Sequence, residues 1–362
     1  MESFQQRRIF NQLDREKKLR RRRRIGEVIL ALLLILVVSG SIVGYRLVTK
    51  KSENKASNKM MTNLVTASPE VNPSESPAPS EEVKEEVSEE EKLERTKITE
   101  AITKNKKKIS SKYACLLAED GTVLYEKDAD KQMYPASMTK LMTALLVVEK
   151  VKDFNKTATI AQETINYTLT QDASVAGFEV GEKAKLIDLL YGVMLPSGAE
   201  CCITLGDYIA GSDEKFIDMM NARAKELGLT NTHFMNSSGL TEEDHYSTAK
   251  DMAKLMKECL KNDLLKEVML AKSHKVGKTN VHKDGFTFYS SVYPKFSSLD
   301  MKGITYLGGK TGYTDEAGYC LASAVTINDK NYFFVTAGGT GNKTVSADDA
   351  YFVFQTILTQ TK

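Results

Sequence analysis

The chain has 362 residues, enough for one large domain or two smaller ones with extensions. Its net charge is only +2, which gives no reason to expect a nucleic-acid partner. It contains four histidines and five cysteines, with no Cys-x-x-Cys spacing, and this argues against a metal site. We expect no metal and no cofactor. The odd number of cysteines leaves at least one free thiol. We expect the cysteines to be buried as thiols, and a disulfide between two of them is the alternative.

The first 49 residues have the pattern of a membrane anchor. Residues 1–24 contain ten Lys or Arg and three acidic residues, and residues 28–45 are eighteen residues without a charge. Eighteen helical residues rise about 27 Å, close to the hydrocarbon thickness of a bilayer. Because basic flanks stay in the cytoplasm, we predict a cytoplasmic tail at 1–24, an uncleaved signal anchor across the plasma membrane at 25–49, and an extracytoplasmic remainder. A cleaved signal peptide and a nucleic-acid-binding arginine run are the alternatives.

Residues 50–98 are predicted to form a flexible linker. Within them, residues 66–95 contain ten Glu and four of the chain's seven Pro, with Ser between them and no aromatic residue. Such a segment has too little apolar surface to offset the entropy of ordering it. We therefore predict an extended, self-repelling tether, whose last part, residues 81–95, could be helical.

Residues 99–362 have the texture of a folded domain, with strands at both ends and helices between them. We predict a β-hairpin first, at 113–118 and 122–125 with an Asp-Gly turn, and then a helix over 137–151. Further helices are predicted near 186–194, 201–210, 213–227 and 248–270. Strands are predicted at 286–292, 308–314, 318–327 and 332–338, followed by a helix at 347–359. This order predicts an α+β domain whose first and last strands share one antiparallel sheet.

The pattern Ser-x-x-Lys occurs four times, at Ser52–Lys55, Ser137–Lys140, Ser212–Lys215 and Ser247–Lys250. The first lies in the linker, and the third and fourth have the pattern of helix starts. Ser137 instead stands in the first turn of an apolar helix, where residues i and i+3 share a face. Burial would lower the pKa of Lys140, so that its neutral amine could take a proton from the Ser137 hydroxyl. A helix cap and a solvated lysine are the alternative interpretation.

A Lys-Thr-Gly tripeptide at Lys310, Thr311 and Gly312 occurs once in the chain, on a predicted strand. A cation and a hydroxyl on a strand can bind a carboxylate, and glycine lets the backbone approach a substrate. Between the two motifs, Ser197-Gly198-Ala199 follows a predicted helix. A strand-end turn with an exposed lysine is the alternative for the tripeptide alone.

With these motifs in order, residues 112–340 resemble the low-molecular-mass penicillin-binding proteins, the serine D-alanyl-D-alanine carboxypeptidases. The resemblance extends over longer phrases, at residues 134–144, 236–240, 245–251 and 309–314. It implies a fold of the β-lactamase and transpeptidase type, with an antiparallel sheet flanked by helices and an all-helical subdomain. It also implies two ligands, a peptidoglycan stem peptide ending in D-Ala-D-Ala and β-lactam antibiotics.

The resemblance implies a role for each motif residue. Ser137 would form an acyl-enzyme with Lys140 as proton acceptor, and Ser197 would relay a proton to the leaving amine. Lys310 and Thr311, with Gly312 beside them, would hold the terminal carboxylate. The N–H groups of Ser137 and Tyr313 would form the oxyanion hole.

Two departures from the family pattern stand out. The middle motif ends in Ala199, where the family usually has Asn. Relatives often carry a β-rich second domain and a C-terminal amphipathic anchor, and we expect the N-terminal span to be the anchor here.

Two other functions remain open, and a third is disfavoured. A penicillin-binding scaffold or sensor with weak catalysis is suggested by Ala199, and an endopeptidase that cuts D-Ala cross-links uses similar chemistry. A class A β-lactamase needs a Glu-x-x-Leu-Asn segment after the middle motif. The nearest candidate, residues 163–166, precedes Ser197, which argues against that function.

Overall fold

The computed structural model describes residues 88–297 and 299–361, which belong to one compact unit. Its main sheet has five antiparallel strands in the spatial order β2-β1-β9-β8-β7. These strands are β1 (Tyr113–Ala118), β2 (Val123–Lys127), β7 (Thr305–Thr314), β8 (Gly318–Ile327) and β9 (Lys330–Gly339). The α+β class is confirmed, because the first strand of the domain pairs directly with the last.

Two smaller ribbons lie outside this sheet. They are β3 (Thr157–Thr159) with β4 (Lys183–Lys185), and β5 (Ser273–Val276) with β6 (Phe286–Tyr289). The strand predicted at 286–292 therefore exists over its first four residues, but it pairs with β5 rather than joining the main sheet.

The helices fall into two groups. Most lie between β2 and β7 in the chain: α2 (Lys140–Lys150), α3 (Gln162–Thr170), α4 (Leu186–Met194), α5 (Ala199–Ala210), α6 (Asp213–Glu226), α7 (Ala249–Cys259), α8 (Asp263–Leu270) and the short α9 (Tyr293–Phe296). The other two flank the strands at the ends of the domain: α1 (Glu89–Lys104) and α10 (Val345–Gln360). The flanking helices match the prediction, but the central region is not all-helical, because the β3–β4 and β5–β6 ribbons lie in the same stretch of chain.

The sheet is buried on both faces. Alternate side chains of β1 point to opposite sides, since the side-chain period of a strand is two. Leu116 packs in the cluster that contains Ile98 of α1 and Phe354 of α10. Leu117 packs in the cluster that contains Leu141 of α2 and the other helices of the central group. The candidate site lies on this second side.

Helix α1 begins earlier than the predicted domain boundary at residue 98. Ser88 caps it by accepting a hydrogen bond from the N–H of Glu91 at 3.2 Å, and its first turn is acidic. An acidic first turn suits the positive end of the helix dipole. Ile98 and Ile102 are fully buried, so the last part of the predicted linker contributes to the core. The helix anticipated within 81–95 thus continues to Lys104.

The helix predicted over 248–270 is two helices. After Cys259, the side chain of Asn262 accepts a hydrogen bond from the N–H of Leu265 at 3.0 Å and starts α8. Asparagine is among the best N-cap residues, and its cap interrupts an otherwise continuous apolar pattern. The hairpin with its turn at Gly121 (φ +92°), the helices at 186–194 and 213–227 and the last helix are confirmed, within one or two residues at their ends.

Within the described ranges, no helix is long and apolar enough to cross a membrane. The predicted tail at 1–24, the span at 25–49, most of the linker and the Ser52–Lys55 pattern lie outside those ranges.

Candidate active site

Ser137 lies in a tight turn rather than in the helix itself. Residues 136–139 form one turn of 3-10 helix, and α2 follows directly at Lys140. Ala136 adopts φ +47°, an uncommon conformation for a residue with a Cβ. Two glycines allow this turn to pack closely. A Cβ on Gly239 would overlap the carbonyl oxygen of Ala136, and one on Gly312 would come within 3.0 Å of the Ser137 nitrogen. The glycine of the Lys-Thr-Gly tripeptide therefore seats the serine turn on β7.

Lys140 is buried against the Ser137 hydroxyl. Its side chain is 2% exposed, and its Nζ donates to Ser137 Oγ at 3.2 Å and to the carbonyl oxygen of Ser238 at 2.5 Å. Burial lowers the pKa of Lys140, although the negative charge of Glu200 and the nearby thiols of α5 act in the opposite direction. A lysine with a lowered pKa is a stronger candidate for a general base than a solvated one.

The loop that supplies the Ser238 carbonyl is organised by Asn236. The Asn236 Oδ1 accepts hydrogen bonds from the N–H groups of Gly239 at 2.7 Å and Leu240 at 3.0 Å. Its Nδ2 donates to Glu242 Oε1 at 2.7 Å. The sequence marked residues 236–240 as a family phrase but gave them no role. The structure shows that this loop packs against Lys140 and accepts a hydrogen bond from its amine.

Lys310 and Ser197 form a second pair. Lys310 is fully buried, and its Nζ donates to Ser197 Oγ at 3.0 Å and to the carbonyl oxygen of Thr311 at 3.0 Å. Burial holds the pKa of Lys310 well below its usual range, and the charge of Lys140 lowers it further. Ser197 is 7% exposed and adopts φ +70°, which turns its hydroxyl toward β7. The sequence separation of this pair is 113 residues, so only the fold brings the two together.

The remaining predicted residues line β7. Thr311 Oγ1 and Ser291 Oγ share a hydrogen bond of 2.9 Å. Tyr313 is 51% exposed, its hydroxyl donates to Asp315 Oδ1 at 2.9 Å, and its ring packs on Tyr319 with the ring centroids 4.6 Å apart. Thr311 and Tyr313 follow Lys310 along the strand, and the exposed Tyr313 gives the site an open edge beside the two buried lysines.

Ala199 is the first residue of α5 and is 1% exposed. Its N–H donates to the carbonyl oxygen of Ser174 at 2.8 Å. Its methyl group offers no hydrogen bond at the position where the family usually has an amide.

All five cysteines are free and buried. Cys202 Sγ donates to the Gly198 carbonyl oxygen at 3.2 Å, and burial raises the pKa of this thiol to about 12. These thiols therefore behave as small core residues, as the sequence indicated. Among the described residues, no group of three or more His, Cys, Asp or Glu side chains is placed to hold a metal ion.

The model of the D-alanyl-D-alanine carboxypeptidase family matches residues 99–341. The chain belongs to this family. It is 33% identical over 234 residues to the Bacillus subtilis D-alanyl-D-alanine carboxypeptidase DacF, a match that covers 64% of this chain and 58% of the relative. It is 37% identical over 226 residues to the Escherichia coli D-alanyl-D-alanine carboxypeptidase DacC, covering 60% of this chain and 54% of the relative. The chain thus spans little more than half the length of these two relatives.

A solved family structure has the same fold. The crystal structure of the Streptomyces DD-transpeptidase aligns with a TM-score of 0.62 at 30% identity, covering 69% of this chain and 98% of that one. A Mycobacterium tuberculosis D-alanyl-D-alanine carboxypeptidase structure aligns with a TM-score of 0.60 at 22% identity, which supports the fold alone. The expected fold of the D-alanyl-D-alanine peptidases is therefore confirmed.

Proposed function

We propose that this protein is a serine-type D-Ala-D-Ala carboxypeptidase that removes the terminal D-alanine from peptidoglycan stem pentapeptides. The observation that carries the proposal is the buried Lys140 amine, 3.2 Å from the Ser137 hydroxyl, in a chain of this family. A serine hydroxyl is a weak nucleophile until a neighbouring base takes its proton. The lowered pKa of Lys140 supports that role, because it favours the unprotonated amine that can accept the serine proton.

The proposed reaction begins with Ser137 Oγ attacking the carbonyl carbon between the two terminal D-alanines. Lys140 Nζ accepts the hydroxyl proton as the new C–O bond forms. The oxyanion would be stabilised by the N–H groups of Ser137 and Tyr313. Ser197 would give its hydroxyl proton to the departing amine and take the proton held by Lys140, so that the C–N bond breaks, D-alanine leaves neutral at nitrogen, and an acyl-serine remains. Water then attacks the ester carbonyl and gives one proton to Lys140, which returns it to Ser137 Oγ as the ester C–O bond breaks and the shortened peptide leaves.

Lys310, Thr311 and Gly312 are proposed to bind the terminal carboxylate of the substrate. The Thr311 hydroxyl is half-buried on β7, and the buried Lys310 lies beside it. An incoming carboxylate raises the pKa of Lys310, because an opposite charge favours the protonated amine. The substrate carboxylate would thus supply a negative charge to pair with the protonated Lys310. β-Lactams would acylate the same serine.

We further propose that the domain acts on the extracytoplasmic face of the plasma membrane. The basic tail at 1–24 and the uncharged stretch within 25–49 support this placement. A cysteine introduced in the tail and one introduced near residue 55 distinguish the two sides in intact cells. The proposal requires that a membrane-impermeant maleimide label only the second. Labelling of the tail cysteine would show the opposite orientation. Recovery of the labelled chain in the soluble fraction would contradict the membrane anchor.

The activity is tested by incubating the full chain with a fluorescent penicillin and, separately, with a stem pentapeptide. The proposal predicts a covalent label and release of D-alanine, both lost in Ser137→Ala. Rapid penicillin turnover would indicate a β-lactamase instead, and cleavage of cross-linked dimers rather than pentapeptides would indicate an endopeptidase. Absence of a label on the full chain would contradict the proposal.

Ala199 favours one second candidate, a penicillin-binding scaffold or sensor with weak turnover. The missing amide would leave acylation possible and slow the later steps. In that case the full chain is labelled by penicillin but releases little D-alanine, and Ala199→Asn increases the release. If the wild-type chain already turns over pentapeptide and Ala199→Asn changes nothing, the scaffold function is contradicted.

A further inference from the structure

Glu200 is a buried carboxylate immediately after the Ser197-Gly198-Ala199 motif. It is fully buried in the first turn of α5. Its Oε1 accepts hydrogen bonds from the N–H groups of Ala176 at 2.6 Å and Gly177 at 3.0 Å. Its Oε2 is buried without a hydrogen-bond partner. Burial raises the pKa of Glu200, while the amide donors favour its ionised form. Burying a carboxylate lowers the stability of a fold unless its interactions compensate, so the contacts of Glu200 beside the motif are significant.

The first consequence of this position is mechanical. The side chain of Glu200 ties the segment 174–177 to the start of α5, and the Ala199 N–H ties the same segment through Ser174. The packing between them is tight: a Cβ on Gly198 would lie 2.9 Å from both the Ala176 nitrogen and Glu200 Oε2. Ser197, the residue before this contact, is held at φ +70°. Holding a non-glycine residue in this conformation requires support from its surroundings.

The second consequence is electrostatic. The negative charge of Glu200 raises the pKa of Lys140, against the burial that lowers it. The other charged or titratable groups near Lys140 are the thiols Cys201 and Cys202 on α5, Lys310 on β7, and His245, which lies beside the 3-10 turn. Lys310 and a protonated His245 would oppose a charge on Lys140. Because burial raises the pKa of both thiols, Glu200 is the most readily ionised acidic group of this set.

We propose that Glu200 is a positioning residue of this site, which fixes the Ser197–Ala199 turn through the amides of Ala176 and Gly177 and stabilises the protonated form of Lys140. This inference rests on the proposed function, in which Lys140 is the base and Ser197 the proton relay. The carboxylate keeps the Lys140 amine basic enough to accept the serine proton, since a weaker base gives slower proton transfer. Its second oxygen, Oε2, lies close to Gly198, which leaves no room for a side chain at that position.

Two substitutions separate the two parts of the proposal. Glu200→Gln keeps an oxygen acceptor for the two amides and removes the charge. Glu200→Ala removes both. Glu163→Gln is the matched control, because it deletes the same charge from an exposed position on α3. All are made in the full chain.

Three measurements are made on each variant. The first is the rate of acylation by a fluorescent penicillin as a function of pH. The second is the titration of Lys140, followed by NMR of lysine labelled with ¹³C at Cε and assigned by the signal missing in Lys140→Arg. The third is the hydrogen-exchange rate of the Ala176 and Gly177 amides.

In Glu200→Gln we expect the Lys140 titration and the acid limb of the acylation profile to move together to lower pH, with the amides still protected. In Glu200→Ala we expect the same direction of shift, faster amide exchange, and an acylation rate lower by about 100-fold, the scale of a misplaced catalytic group. Glu163→Gln should match the wild type in all three.

The proposal is overturned if Glu200→Gln leaves the Lys140 titration unchanged, or if Glu200→Ala leaves amide exchange unchanged. A loss of acylation without either shift would show a general structural effect and also contradict it. Failure of the proposed function has a different signature, since the wild-type chain would then show no penicillin label. The Lys140 titration and amide exchange need no substrate, so they decide the role of Glu200 in either case.

Discussion

Two Ser-x-x-Lys segments of this chain, at Ser137–Lys140 and Ser247–Lys250, share a spacing and little else. Lys140 is 2% exposed and reaches the Ser137 hydroxyl at 3.2 Å. Lys250 has a side chain that is 26% exposed and pairs with Asp130 at 2.8 Å. Ser247 Oγ hydrogen-bonds to Thr232 instead, at 2.8 Å.

The difference lies in what stands behind each lysine. The Ser137 segment is packed against the loop at Gly239 and the strand at Gly312, and both close approaches depend on glycine. The Ser247 segment starts α7, where Thr248 caps the helix through the N–H of Asp251 at 3.1 Å. A spacing of three residues therefore places two side chains on one helix face. Whether the lysine is buried, and its pKa lowered enough for proton transfer, depends on segments that are distant in the sequence.

Replacing each lysine with methionine gives the largest expected contrast. Lys140→Met removes the proposed base at nearly constant volume, and we expect acylation by penicillin to fall by about a thousandfold. Lys250→Met removes an exposed ion pair that contributes about 0.5 kcal/mol, so acylation should stay near the wild-type rate. Stopped-flow labelling of both variants measures the contrast. Equal losses in the two variants would contradict the distinction between the segments.

Two glycines test the close packing behind Ser137. Gly239 and Gly211 have φ of +87° and +83°, so alanine at either position costs about 1 kcal/mol in backbone strain. Nothing lies within 4 Å of a Cβ at Gly211, whereas one at Gly239 would strike the Ala136 carbonyl. We expect Gly239→Ala to lower acylation by about 100-fold and Gly211→Ala to leave it unchanged. If Gly211→Ala were the more damaging, packing behind the serine turn would not explain the site.

His245 gives the serine turn a pH-dependent support. Its Nδ1 accepts from the Met235 N–H at 3.0 Å, so Nε2 carries the proton and donates to Thr139 Oγ1 at 2.8 Å. Burial lowers the pKa of His245 from 6.5 to about 3. The unfolded chain therefore binds a proton here that the folded chain does not, and stability falls as pH drops below 6.5.

Between pH 7 and pH 5.5 we expect this one histidine to lower the free energy of unfolding by about 1 kcal/mol. His245→Gln retains a donor and an acceptor but does not titrate. Urea unfolding at the two pH values should thus show a smaller pH dependence for the variant than for the wild type. An identical pH dependence would contradict a neutral His245 in the folded chain.

The smallest expected effect concerns the third pattern, Ser212–Lys215. Ser212 Oγ accepts from the Lys215 N–H at 3.3 Å and caps α6. Ser212→Ala should lower the free energy of unfolding by about 1 kcal/mol and leave penicillin labelling intact. Loss of labelling in this variant, with the fold preserved, would place a second reactive serine in the chain.

Local pattern predicted much of the fold. The Asp120-Gly121 turn, the periodic helices and the alternating strands each follow from neighbouring residues. The pairing of β6 with β5, away from the main sheet, did not follow, because strand partners are chosen over long separations. The break at Asn262 was hidden by apolar residues on both sides of it.

The predicted site residues lie in two hydrogen-bonded pairs and along one strand. The family-like segments around them were enough to locate these residues in the sequence. Glu200 was missed because its burial depends on the backbone of Ala176 and Gly177, which carry no signal of their own. Asn236 was recognised only as part of a phrase. Its role depends on the fold, because the loop that it organises supplies the Ser238 carbonyl oxygen to Lys140.

The central claim is that Ser137, with Lys140 behind it, is the reactive serine of this chain. The most direct measurement is mass-spectrometric mapping of the full chain after incubation with penicillin. The predicted result is one acyl adduct, on the peptide that contains Ser137, absent from Ser137→Ala and strongly reduced in Lys140→Met. An adduct on Ser247, Ser212 or another residue, or no adduct at all, would contradict the account.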